Sequence, residues 1–253
     1  MLRRSFTLCA ATALLGLSAA STFAADAIPA YVKAAVDDAA RPEADRGRDA
    51  NRKPAEIVAW AGLKPGDKVA DMLPGGGYFT RIFSGVVGAK GTVYALPPAR
   101  PANAPAGMPD FAAAAKKIAD DPHYSNVKVG EMGKAPPEKL DLAWTSLNYH
   151  DMHNRPNPDL TAFNKQVFDM LKPGGTYIVI DHAAAKGSGT EGAKLHRIDP
   201  ELVKSEVTSV GFKFEGESKV LANPADDHTK PNSDSGIRGH TDQFALKFSK
   251  PRS

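Results

Sequence analysis

The stretch Val69-Ala70-Asp71-Met72-Leu73-Pro74-Gly75-Gly76-Gly77-Tyr78-Phe79-Thr80 restricts what this chain can fold into more than any other. It reads as a short buried strand ending in a carboxylate, a glycine-rich turn, and the first turn of a helix. Three consecutive glycines let the main chain take φ values closed to other residues and let a ligand come against it. The helix start adds free N–H groups. An ordinary tight strand-to-helix turn has the same composition, so the stretch alone leaves a nucleotide-type site and a plain turn both open.

The next residues extend the unit. Tyr78 and Phe79, Ile82 and Phe83, and Val86 and Val87 recur every four residues, which gives a helix one apolar face, and Gly88 can stop it. Gly91 to Leu96 then reads as a second buried strand, completing a βαβ unit with the glycine turn at its first connection.

Residues 1–24 carry Arg3 and Arg4 near the start, an apolar run from Leu8 to Ala20, and small residues at Thr22 and Ala24. This is the pattern of an export signal cleaved after Ala24, since a membrane span needs about 20 apolar residues. Arg3-Arg4-Ser5-Phe6 approximates a twin-arginine signal, with Leu2 where Ser or Thr is usual. The expected location is periplasmic or secreted, without a stable membrane anchor. The only cysteine, Cys9, falls inside this segment, so the remainder has neither disulfide nor thiol chemistry. Removing the segment takes two of the 32 Lys and Arg and none of the 29 Asp and Glu, and the near-neutral balance argues against nucleic acid as a partner. The roughly 229 residues left suffice for one core, and no internal repeat divides them.

Residues 25–52 are rich in alanine and in both signs of charge, with Arg41, Arg46, Arg48 and Arg52 alternating with Glu43, Asp45 and Asp49. They read as a solvated helical lead-in, or as a lid over a ligand mouth with one arginine meeting a substrate carboxylate. The domain proper is expected over residues 53–253. It opens with Pro54 at a helix start and Ile57, Val58 and Ala61 on its apolar face.

Beyond Leu96, the proline-rich run Pro97 to Pro105 is a surface excursion, followed by a helix from Phe111 to Ala119. Asn126 to Glu131 is expected as the third strand and Asp141 to Leu147 as the fourth, running into the polar cluster Asn148 to His153. A helix over Asp159 to Leu171 ends at Lys172-Pro173-Gly174-Gly175, and the apolar run Thr176 to Ile180 suits a central parallel strand. Asp181 and His182 finish it. A helix starting at Pro200, capped by Asp199, precedes two strands, Phe212 to Leu221 and Gln243 to Phe248. About 20 polar residues lie between those strands, and a connection of that length is usually functional or mobile. Ligands in open α/β sheets sit at the carboxyl ends of strands, so Asp71, Glu131 and Asn148 to His153 are expected to converge on one crevice.

This order of parts resembles the class I S-adenosylmethionine-dependent methyltransferases, and in detail a group of exported bacterial proteins described as predicted methyltransferases. The resemblance covers roughly Lys53 to Pro251, and rests on the Asp71 to Tyr78 stretch together with Leu171 to Gly175. It implies a Rossmann-like, doubly wound, mostly parallel sheet with helices on both faces and a C-terminal antiparallel strand. It also implies S-adenosylmethionine as cofactor and a small molecule as methyl acceptor. Asp71, Gly75, Gly77 and Glu131 match the family's cofactor positions, and Gly76, Tyr78 and Ser146 join them as cofactor-binding candidates. Two positions depart from the family pattern. Leu73 stands where the first glycine is usual, and Pro97 where an acid normally accepts the ribose hydroxyls.

Methyl transfer often needs a base for the acceptor's proton. His150 is the first candidate, with His182 and His196 next, since each falls at or just after a strand end. A structural, hydrogen-bonded role is the competing reading for any of them. Two other classes stay open. One is a ligand-binding module on a degenerate methyltransferase fold; the other is a metal-dependent enzyme using the His150, His153 and His182 cluster.

Overall fold

Short apolar runs bounded by Gly and Pro turns become the strands of one sheet. The computed structural model describes residues 28–252, so the expected export signal lies outside the described residues. The strands are β1 Lys68–Met72, β2 Thr92–Leu96, β3 Val127–Val129, β4 Leu140–Ser146, β5 Leu171–His182, β6 Lys213–Ser218 and β7 Gln243–Ser249. Among the described residues they form one sheet in the order β3-β2-β1-β4-β5-β7-β6. β1 to β5 pair in parallel, and β7 runs antiparallel to both β5 and β6. The expected Rossmann-like, mostly parallel sheet is thus present. Its register sets Asp71 level with Ala95 and Trp144, and Ser146 level with Ile180, so the polar strand ends share one edge.

Helices cover both faces: α1 Ala30–Val36, α2 Glu43–Arg46, α3 Asp49–Arg52, α4 Pro54–Ala61, α5 Tyr78–Val87, α6 Phe111–Ala119, α7 Tyr149–His153, α8 Leu160–Met170 and α9 Pro200–Ser209. Alternation along β4 sends Leu142 and Trp144 to the face under α1, α4 and α5, and Ala143 to the face under α8 and α9. The apolar stripe of α5 meets Trp144 through Phe79 at 4.7 Å and Phe83 at 5.1 Å between ring centroids. Burying each such ring contributes about 1.5–3 kcal/mol, and truncating Phe83 to alanine would cost roughly 3–5 kcal/mol. None of the helices among the described residues is long and apolar enough to cross a membrane.

Three local expectations are corrected. The lead-in is solvated only in part: Val32, Ala35 and Val36 of α1 belong to the core, and Arg41 is only 2% exposed, while α3 buries none of its residues. Gly85 makes that packing possible, because a Cβ there would come within 2.8 Å of the Ala35 Cβ. Arg41 is held by Asp49 through two bonds of 2.9 and 2.7 Å and by the Val36 carbonyl. Secondly, the polar cluster after β4 is a helix, α7, too short for its periodicity to show in sequence. Thirdly, β5 begins at Leu171, which already pairs with Leu140; the register slips before Leu142 meets Thr176, so Lys172 to Gly175 form a bulge inside the strand.

Candidate active site

The glycine turn leaves β1 through Leu73, whose φ of +55° lies in the left-handed region that favours glycine. The Leu73 amide donates to the Leu96 carbonyl at 3.0 Å, and Asn148 Nδ2 donates to the Leu73 carbonyl at 3.3 Å, tying the turn to the ends of β2 and β4. Leu147, at the end of β4, is also left-handed with φ +61°. Strained non-glycine backbone therefore gathers at the carboxyl edge of the sheet. Within the turn the glycines differ. A methyl group added at Gly75 or Gly76 would meet nothing within 4 Å, whereas one at Gly77 would fall 2.1 Å from Ile118 Cδ1. Gly77 is buried against Ile118 of α6, and the described cavity wall includes Gly75 and Gly76 but not Gly77.

Asp71 is 3% exposed and accepts a 2.6 Å hydrogen bond from Thr80 Oγ1. Burial pushes its carboxyl up to about 7, against the opposing effects of the Thr80 bond and the Arg52 charge. Arg52 lies over the rings of Tyr78 and Phe79, 4.2 and 4.6 Å from their centroids, and donates to Ser146 Oγ at 3.0 Å. Burial lowers Arg52 to about 10, which leaves it charged at neutral pH. Tyr78 in turn donates to Asp49, so the lead-in, the glycine turn and β4 are joined by one set of polar contacts.

These groups wall a cavity of about 400 Å³. Asp71, Gly75 and Gly76 line one side, Arg48, Arg52 and Arg155 supply positive charge, and Pro98 and Phe111 supply apolar surface. Tyr78, Ser146, Asn148 and Asp151 complete the polar wall. Glu131 is not among its described residues. It pairs with Lys134 at 2.7 Å, while the chain around it stays beside the end of β2, the Met132 amide donating to the Pro97 carbonyl at 2.9 Å. A second space of about 470 Å³ adjoins the first and shares Arg48, Arg52 and Leu147 with it. His182, Asn232, Arg238 and Gln243 line its far side. The long connection between β6 and β7 supplies several of these. It is anchored by Arg197, fully buried, which meets Asp226 at 2.8 Å and donates to the Ala183 carbonyl at 2.9 Å. The alternating charges of the lead-in pointed to an arginine at a ligand mouth, where Arg48 and Arg52 stand, but nothing in the sequence marked Arg197.

The histidines separate. His150 is 1% exposed, and Asp181 accepts from its amide at 2.8 Å and faces its Nδ1 at 2.7 Å. Burial would lower the His150 pKa, but the charge of Asp181 and the bonds to Asp151 and Asp181 raise it to about 10. His196, also left-handed, brings its Nδ1 within 3.3 Å of His150 Nε2. His182 is on the wall of the second space, with Nδ1 2.6 Å from Thr241 Oγ1; burial lowers its pKa to about 4, so it is neutral at pH 7. The expected cluster of His150, His153 and His182 does not form, since His153 turns to Glu206 at 3.2 Å.

Solved structures share this architecture at low identity. An S-adenosylmethionine-dependent methyltransferase from Aquifex aeolicus superposes with a TM-score of 0.56 at 18% identity, over 80% of this chain and 92% of that one. The fold is that of the class I methyltransferases. The glycopeptide N-methyltransferase MtfA, solved with sinefungin, gives 0.53 at 16% identity, over 81% and 87% of the two chains. The cyclase SpnF gives 0.56 at 15%, over 83% and 82%, so the methyltransferase-type fold does not by itself name a reaction. The sequence matches no protein-family model and no curated protein.

Proposed function

We propose that the chain transfers a methyl group from S-adenosylmethionine to a small anionic molecule. The observation that carries this is the cavity at the ends of β1 and β4, where open glycine main chain stands beside a buried carboxylate. The residues fit the cofactor's amino-acid end: Gly75 and Gly76 leave the main chain approachable, and Asp71 can meet an ammonium group. Pro98 and Phe111 offer an apolar seat for a base. The ribose carboxylate is missing, because Pro97 and Pro98 follow β2. Losing such charge-assisted bonds costs about 1.5–3 kcal/mol each, so binding is expected to be weak. When bound, the cofactor supplies an electrophilic methyl group on a sulfonium.

The acceptor side is the adjoining space. Arg48, Arg52 and Arg238 favour an anion there, and His182, neutral and on the wall, is the imidazole placed to take an acceptor proton. His150 is closed off from both cavities and acts through its neighbours in this reading. We place the activity outside the cytoplasm on the strength of residues 1–24; cell fractionation of an Arg3→Lys, Arg4→Lys chain tests that assignment. Calorimetry with S-adenosylmethionine and its demethylated product tests the main reading. Saturable binding that is lost in Gly76→Val supports it, while no binding of either compound at millimolar concentration leaves only a binding module for another ligand.

A further inference from the structure

We propose that His150 Nε2, His196 Nδ1 and Asp151 Oδ1 form a binding site for a divalent transition-metal ion. The three atoms make a nearly regular triangle, with sides of 3.3 Å between the imidazoles, 3.3 Å from His150 to Asp151, and 3.1 Å from His196 to Asp151. Ligand atoms about 2.1 Å from a tetrahedral ion stand roughly 3.4 Å apart, so an ion about 1 Å out of the triangle's plane would reach all three. Little movement of the side chains is required.

The surroundings are those of a built site. Asp181 holds the His150 ring from behind through Nδ1 at 2.7 Å and the His150 amide at 2.8 Å, which turns Nε2 toward the other two groups. A carboxylate on the far nitrogen of a ligating imidazole is the usual outer support of such ligands. Asn154 Nδ2 donates to the Ala193 carbonyl at 2.8 Å, joining α7 to the 3-10 turn Glu191–Leu195 that precedes His196. Both arms of the triangle are thereby held together. His150 is buried, while the His196 and Asp151 side chains are 52% and 48% exposed, so an ion can enter from solvent and keep an open position. Two carboxylates stand around one imidazole, and a divalent charge would balance them. Two imidazoles and one carboxylate suit Zn²⁺ or Fe²⁺ better than Mg²⁺ or Ca²⁺. Asp151 also belongs to the wall of the 400 Å³ cavity, so an open coordination position there could take an oxygen of a bound small molecule.

The test is independent of methyl transfer. Tag-free protein stripped with a chelator is titrated with Zn²⁺ by calorimetry, and with Co²⁺ by visible absorption. One equivalent is expected to bind, with affinity reduced at least roughly 100-fold in His196→Ala and in Asp151→Ala. Asp181→Asn, which leaves the ligands in place but unsupported, is expected to weaken binding about 10- to 100-fold. His153→Ala should bind as wild type does. The His196 and Asp151 side chains are half exposed, so those variants should fold, and far-UV circular dichroism checks it. A wild-type dissociation constant above about 100 µM, or full affinity in both His196→Ala and Asp151→Ala, would overturn the site and leave a hydrogen-bonded triad.

Discussion

Asp71 and Asp181 end parallel strands at the same edge of the sheet, and both are buried, yet their surroundings differ. Asp71 has one close side-chain donor, Thr80, and its carboxyl is pushed up to about 7. Asp181 accepts from two backbone amides, those of His150 and His182, and faces an imidazole nitrogen. At Asp71, with few donors to favour the charged form, burial prevails and the carboxyl holds its proton near neutrality. The glycine-turn side therefore offers a single carboxylate to an arriving cation, whereas the histidine side offers two imidazoles and a carboxylate.

Removing Asp181 should have the largest effect. Asp181→Ala leaves His150 and two amides without their acceptor, and is expected to lower stability by about 3–5 kcal/mol in urea unfolding. A loss under about 1 kcal/mol would erase the distinction between the two acids. Asp71 should behave in the opposite sense. Its folded pKa is raised, so the native state holds the proton more tightly than the unfolded chain. That stabilisation is complete below the unfolded value of 3.8 and disappears as pH rises toward 7. Relative to Asp71→Asn, wild type should lose up to about 4 kcal/mol across that window. A pH-independent difference between the melting temperatures of the two proteins would show that Asp71 ionises freely.

The glycine turn offers a contrast of intermediate size. Gly77→Ala must fit a Cβ against Ile118 at a left-handed position and should cost roughly 2–4 kcal/mol. Gly76→Ala, facing open space, should stay within about 0.5 kcal/mol of wild type. Equal stabilities would mean that α6 can yield around Gly77. The smallest effect is expected at Leu73→Gly. About 1 kcal/mol of relieved backbone strain opposes the lost packing of a half-buried side chain, and thermal melts should differ little. A destabilisation above about 2 kcal/mol would make packing, not backbone, the reason for Leu73.

The glycine-turn half was legible because its signals are local. The strand, the turn and the four-residue spacing of α5 lie within twenty positions, and β2 starts one residue from where Gly91 to Leu96 placed it. The histidine half depends on distant pairs. His150 meets His196 across 46 residues and Asp181 across 31, and no periodicity reports such meetings. Arg41 shows the same limit in the lead-in, since an arginine inside a core is written with the same letter as one in water. Glu131 does follow β3, but its pairing with Lys134 was not contained in the spacing.

Arg52 belongs to the walls of both spaces, and its guanidinium lies over the two aromatic rings at the start of the glycine-turn helix. A side chain that serves two compartments links their occupancies. If a ligand in one space moves Arg52 and so changes affinity in the other by some factor, the second ligand must change the first ligand's affinity by that same factor. The order in which two ligands arrive would then alter the route taken through the binding steps, while the free energy of the doubly filled protein stays the same.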